Sequence, residues 1–241
     1  MKAILYVSHG TRSKQGAEEV RRFLESVIDL VEVPIQEISF LELTKPFIGE
    51  GFEQCVNRGA TEISVVPLFL LAAGHIKKDI PDSLIPLRKK YPHIKVKVAP
   101  PFSVQDRILN AIGELVRSVV HDVNLEDSIL IVGRGSSDLA IHDAFTRISR
   151  GIKEKLGVRN IQVCYLAAAS PTFTVGLETI IQKARGERVI VVPYLLFPGL
   201  LLSEIIKEVN KRRNQGQSIV HTGPLSSHRV IKDIVIDRAL G

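Results

Sequence analysis

The chain has 241 residues, 45% hydrophobic and 24% charged, with a formal net charge of +6 and a pI near 9.4. Aromatic residues make up 5%, tryptophan is absent and no basic run is interleaved with stacking side chains, which argues against nucleic acid as partner. The longest apolar stretch, Val189 to Leu202, contains Pro193 and Pro198 and is shorter than the ~20 residues that cross a bilayer, so a membrane role is not expected either.

In chain order, short runs rich in Val, Ile and Leu alternate with segments of helical period, the pattern of a parallel sheet flanked by helices. Strands are expected near 2–8, 34–41, 62–70 and 94–99, and again near 128–133, 160–166, 187–196 and 217–222. Between the first two, Val20, Phe23, Leu24, Val27, Ile28 and Val31 recur every three or four residues, an amphipathic helix. Pro46 and Pro171 read as residues just inside helix starts, with Ser170 as cap of the second. After each fourth strand, Pro100-Pro101-Phe102 and Pro224-Leu225 lead into amphipathic helices carrying Ile108, Ile112, Leu115 and Val119, and Val230, Ile234 and Ile236.

These two series are one series repeated. ILYVSHG (Ile4 to Gly10) returns as ILIVGRG (Ile129 to Gly135), FLELTKP (Phe40 to Pro46) as YLAAASP (Tyr165 to Pro171) and VVPLFLL (Val65 to Leu71) as VVPYLLF (Val191 to Phe197). The fold class expected is therefore α/β, with two similar domains, 1–124 and 125–241, related by duplication. Each is large enough to fold without a disulfide or structural metal. The polar join from Val123 to Asp127 is short, so the halves are expected to be apposed across a cleft. Cys55 in a helix and Cys164 in a strand, with no CxxC, suggest reduced thiols. The N-terminus lacks signal-peptide features, and a cytoplasmic monomer is expected.

The halves differ in chemistry. His9 aligns with Arg134, Glu42 with Ala167 and His75 with Leu201, so three possible metal ligands occur in the first half alone. Each follows a strand, and a parallel sheet gathers such positions at its carboxyl edge. Two imidazoles and a carboxylate suit Fe2+, Co2+ or Ni2+ and leave coordination positions open. Singly, each residue has a plainer explanation: a loop hydrogen bond for either histidine, and stabilisation of the next helix N-terminus for Glu42. Their joint absence from the sister half favours a shared site. The other histidines, His93, His121, His142, His221 and His228, show no such convergence.

Charge is distributed unevenly. Arg88-Lys89-Lys90 and Lys211-Arg212-Arg213 end predicted helices, where cations offset the helix dipole. Lys77 and Lys78 stand at a predicted helix start, the unfavourable end, next to His75, and so are candidates for an anionic ligand. Gly133-Arg134-Gly135-Ser136-Ser137 is a glycine-rich turn able to present backbone N–H groups to an anion, with Arg134 suited to a carboxylate.

SHG at Ser8 to Gly10, FLEL around Glu42 and PLFLLAAGHIKKDIP from Pro67 to Pro81 resemble the class II chelatases, the group of the bacterial sirohydrochlorin ferrochelatases and the anaerobic cobaltochelatases. The resemblance spans essentially the whole chain, and GHxxxDIP is its most specific part. It implies a lyase that inserts a divalent metal into sirohydrochlorin in siroheme synthesis, with release of two protons. Metal and catalytic roles fall on His9, Glu42 and His75. The metal is then substrate, no organic cofactor is expected, and Arg134, Lys77, Lys78 and Ser136 are candidates for the carboxylates of the macrocycle. A His-rich segment and a cysteine-bound cluster, which some long cobaltochelatases carry, are missing, which favours iron over cobalt. The alternatives are a cobaltochelatase and a non-catalytic carrier of metal or tetrapyrrole.

Overall fold

The computed structural model describes residues 1–72 and 74–241; Ala73 and the side chain of His75 lie outside the described residues. The first repeat runs β1 (Lys2–Ser8), α1 (Lys14–Ile28), β2 (Ile35–Phe40), α2 (Ile48–Asn57), β3 (Glu62–Pro67), a π-helical turn (His75–Asp79), α3 (Ile80–Lys90), β4 (Lys95–Val98) and α4 (Asp106–Val119). The second runs β5 (Ser128–Gly133), α5 (Leu139–Leu156), β6 (Asn160–Tyr165), α6 (Phe173–Ala184), β7 (Val189–Pro193), α7 (Leu200–Asn214), β8 (Ile219–His221), a 3-10 turn (Leu225–Ser227) and α8 (Arg229–Leu240). Each repeat forms one four-stranded parallel sheet, in the orders β2-β1-β3-β4 and β6-β5-β7-β8. All eight expected strands are present.

The order has a functional consequence. From β1 the chain moves outward to β2, then crosses back to β3 on the other side of β1, so a topological switch point lies at the carboxyl ends of β1 and β3. Because β1 is central, Ala3, Leu5 and Val7 on one face and Ile4 and Tyr6 on the other are all fully buried. The first face joins Ile48, Phe52 and Cys55 of α2 and Ile80, Leu84 and Leu87 of α3 in one core cluster. The second sheet repeats this arrangement with Leu130, Val132, Phe173, Leu177, Ile180, Leu202, Ile205 and Val209.

Helix starts depart from expectation. Pro46 and Pro171 lie ahead of the helices, each after a cis peptide bond, not inside the first turn. The cap of α6 is Thr172, whose hydroxyl accepts from the Val175 N–H, and Ser170 does not fill that role. At α2 it is Glu50 that accepts the Phe47 N–H, at 2.7 Å, and this hydrogen bond lowers the Glu50 pKa. Lys77 and Lys78 belong to the π-helical turn preceding α3. In α4 the buried stripe is Ile108, Leu109, Ile112 and Val116, while Val119 is exposed; in α8 it is Ile231, Ile234 and Val235.

Compactness divides the chain into Met1–Ser103 with Ile231–Gly241, and Val104–Val230. The helix following the fourth strand of each repeat is thus part of the other unit: α4 lies with α5 in the second, and nearly all of α8 in the first, where Arg238 donates to the Pro101 carbonyl at 3.4 Å. The join between repeats is an ordered turn. Asp127, only 1% exposed, accepts from Arg188 at 3.0 and 2.7 Å and from the Asn124 N–H at 2.8 Å.

Candidate metal centre

His9 and Glu42 meet because the β1–β2 ladder continues past both strands. The Leu41 N–H donates to the Ser8 carbonyl at 2.8 Å and the Glu42 N–H to the His9 carbonyl at 3.1 Å. Gly10 makes this approach possible. Its φ is +96°, and a Cβ there would lie 1.7 Å from the Glu42 carbonyl oxygen, so no larger residue fits without separating the two loops.

The side chains then face each other, with His9 Nε2 3.5 Å from Glu42 Oε1. The other ring nitrogen, Nδ1, is 3.2 Å from the Gly10 carbonyl. With the proton on Nδ1 and donated to that carbonyl, Nε2 carries a lone pair beside the carboxylate, the arrangement of a histidine ready to bind a metal. Phe69 stands beside the imidazole, with ring centroids 6.3 Å apart and planes tilted by 50°. The plainer role for Glu42 fails: Glu50 serves the α2 N-terminus, and Glu42 turns toward His9 instead.

The third expected ligand, His75, begins the π-helical turn, and its side chain lies outside the described residues. Among the described residues, no three His, Cys, Asp or Glu side chains gather closely enough to hold a metal. A cavity of about 410 Å³ adjoins Glu42, lined by Leu41, Glu42, Asp79, Asp82 and Ser83. It joins the loop after β2 to the start of α3, and its charged lining is acidic. Asp79 and Asp82 were not anticipated from sequence; the visible signal was their spacing of three within DIPD beside GH, which places both on one helix face.

Lys77 and Lys78 are exposed. Arg134 is exposed and follows β5 as His9 follows β1, with the matching backbone bonds: Leu166 N–H to Gly133 carbonyl at 3.0 Å and Ala167 N–H to Arg134 carbonyl at 2.8 Å. Gly135, with φ +95°, repeats the close approach of Gly10, here to the Ala167 carbonyl. The Ser136 hydroxyl accepts from the Asp138 N–H at 3.1 Å, and the Asp138 carboxylate caps α5 through the Ala140 N–H at 3.0 Å. That helix N-terminus already carries an anionic group, so Arg134 is the stronger attraction for a carboxylate in this turn.

The profile of the CbiX family matches residues 3–119 and, separately, 128–240. A sirohydrochlorin ferrochelatase of Priestia megaterium is 40% identical over 228 residues, covering 95% of this chain and 85% of the relative. A sirohydrochlorin cobaltochelatase of the same organism is 28% identical, covering 99% of this chain and 79% of the relative. Among solved structures, SirB from Bacillus subtilis with Fe3+ matches with a TM-score of 0.86 at 34% identity, covering 98% of this chain and 93% of that one.

Proposed function

Since the chain belongs to the CbiX family, we propose that it is a sirohydrochlorin ferrochelatase, which inserts Fe2+ into sirohydrochlorin and releases two protons to give siroheme. The observation that carries this is the one-sided pair at the switch point, His9 Nε2 at 3.5 Å from Glu42 Oε1 in the first repeat, with Arg134 and Ala167 at the same places in the second. Iron is favoured over cobalt by the greater similarity to the ferrochelatase of Priestia megaterium than to the cobaltochelatase of that organism.

In this proposal the incoming metal, a substrate, is held by His9, Glu42 and His75, all in the repeat 1–124. An open coordination position admits the pyrrole nitrogens. Insertion requires removal of two N–H protons, and a carboxylate beside the metal, or an imidazole whose lone pair is freed as the metal passes to the macrocycle, would accept them. Glu42 borders the acid-lined cavity, which gives a released proton further oxygen acceptors at Asp79 and Asp82. The repeat 125–241 contributes to substrate binding through Arg134 and Ser136, and Lys77 and Lys78 add positive charge for an anionic macrocycle. In this proposal the protein is a cytoplasmic monomer that works without nucleic acid or membrane.

The test is anaerobic turnover of sirohydrochlorin with Fe2+, Co2+ and Ni2+ side by side, followed by absorbance. Many turnovers are expected, fastest with Fe2+. A single stoichiometric event would make the protein a carrier instead. Replacing His9 or His75 by Ala is expected to lower kcat at least about a hundredfold, since each removes a ligand and a base. Arg134→Ala is expected chiefly to raise KM for sirohydrochlorin.

A further inference from the structure

The two repeats build the crossing of their first two loops with the same backbone hydrogen bonds, but the first adds a side-chain clamp. Thr44 Oγ1 accepts the Thr11 N–H at 3.0 Å and donates to the Thr11 carbonyl at 2.9 Å. A single hydroxyl thereby closes a reciprocal pair of hydrogen bonds between the loop after β1 and the loop after β2. Thr11 stands two residues beyond His9, and Thr44 two beyond Glu42. In the second repeat the position of Thr44 is Ala169, which has no oxygen to offer.

The clamp therefore follows the metal-binding residues and not the fold. Sheet, close glycine approach and cis-proline turn occur in both halves, so none of them depends on Thr44. What is particular to the first half is the need to hold two side chains in register. The His9 side chain is 24% exposed, beside Phe69 and the Gly10 carbonyl, but that of Glu42 is 49% exposed, so its loop must do much of the positioning. Their separation is set by the two loop backbones, and partners outside the immediate ligands commonly fix metal-site geometry in this way.

We infer that Thr44 is a positioning residue, which locks the His9 and Glu42 loops together so that both side chains meet one metal ion. This rests on the assignment of His9 and Glu42 as metal ligands, and the test separates the two claims. Full-length wild type, Thr44→Val, Thr44→Ala, Thr44→Ser and His9→Ala are titrated with Co2+, read by the visible absorption of the bound ion, after thermal melts to compare folding. Valine keeps the shape of threonine and removes the hydroxyl; alanine reproduces the second repeat. Both are expected to weaken Co2+ binding about tenfold, and serine to restore it to within about twofold. In turnover the valine variant should lose kcat with KM for sirohydrochlorin unchanged. Wild-type Co2+ affinity in the valine and alanine variants, beside weak binding in His9→Ala, would overturn the inference. So would a serine variant as weak as valine, since the hydroxyl would then not be the cause. Undiminished binding in His9→Ala would instead overturn the ligand assignment and the clamp with it.

Discussion

Ser39 and Cys164 occupy equivalent places in β2 and β6, both fully buried, and they pose a clear contrast in polar burial. Among the described residues the Ser39 hydroxyl has no hydrogen-bond partner, and burying an unpaired hydroxyl costs stability. Ser39→Ala should accordingly raise stability by about 1 kcal/mol, measured by urea unfolding. The thiols give a pH dependence. Burial pushes both Cys55 and Cys164 up from 9.0 to about 12. Between those values the unfolded chain loses thiol protons that the folded chain keeps, so stability is intact below pH 9 and falls as pH rises toward 12. The slope should approach roughly 1.4 kcal/mol per pH unit for each thiol. Urea midpoints across that window, for wild type and the Cys55→Ala/Cys164→Ala double variant, measure it; the double variant should be the flatter.

At the scale of elements, α2 lies close enough to its sheet to discriminate two glycines a half-turn apart. A Cβ on Gly51 would meet Ser39 Oγ at 1.9 Å and Leu5 Cδ1 at 2.9 Å, whereas one on Gly49 would meet nothing within 4 Å. Gly51→Ala should destabilise by about 1–3 kcal/mol through overpacking, and Gly49→Ala should stabilise by about 0.5–1 kcal/mol through helix propensity. Thermal or urea unfolding of the two variants checks the opposite signs. Strands of this kind were legible in the sequence, because a strand buried on both faces must be an unbroken apolar run, as Ala3 to Val7 is. The neighbourhood of His9 and Glu42 was legible for the same reason: a parallel sheet leaves little freedom about where a strand ends. Helix starts were not. Glu50 and Thr172 compete with nearer candidates such as Ser170, and only the path of the chain through Pro46 and Pro171 decides among them. That Asp79 and Asp82 line the cavity beside Glu42 was not legible, because the direction in which the chain enters α3 depends on the π-helical turn from His75 to Asp79.

At the scale of the molecule, the repeat in sequence and the division in space follow different boundaries. An amphipathic stripe tells that α4 or α8 must be covered, but not which sheet covers it. Unit boundaries at Ser103 and Ile231 make a prediction about fragments. Residues 1–124 alone lack the part of α8 that belongs to the first unit. A permuted chain with residues 231–241 joined by a short linker ahead of residues 1–103 supplies it, and the Lys2 ammonium at 3.5 Å from the Leu240 carbonyl makes that connection short. The permuted fragment should unfold cooperatively at a higher urea concentration than 1–124. Equal midpoints would mean that α8 contributes little to the first unit.

That exchange of terminal helices also orders events at the ribosome. The residues that bear His9 and Glu42 leave the exit tunnel before those of the second unit, but their unit is completed only by residues 231–241, which leave after it. The second unit, continuous from Val104 to Val230, can close while translation is still under way. The half that emerges earlier is thus finished later, and a stalled or truncated nascent chain carries His9 and Glu42 on a unit that has not yet closed.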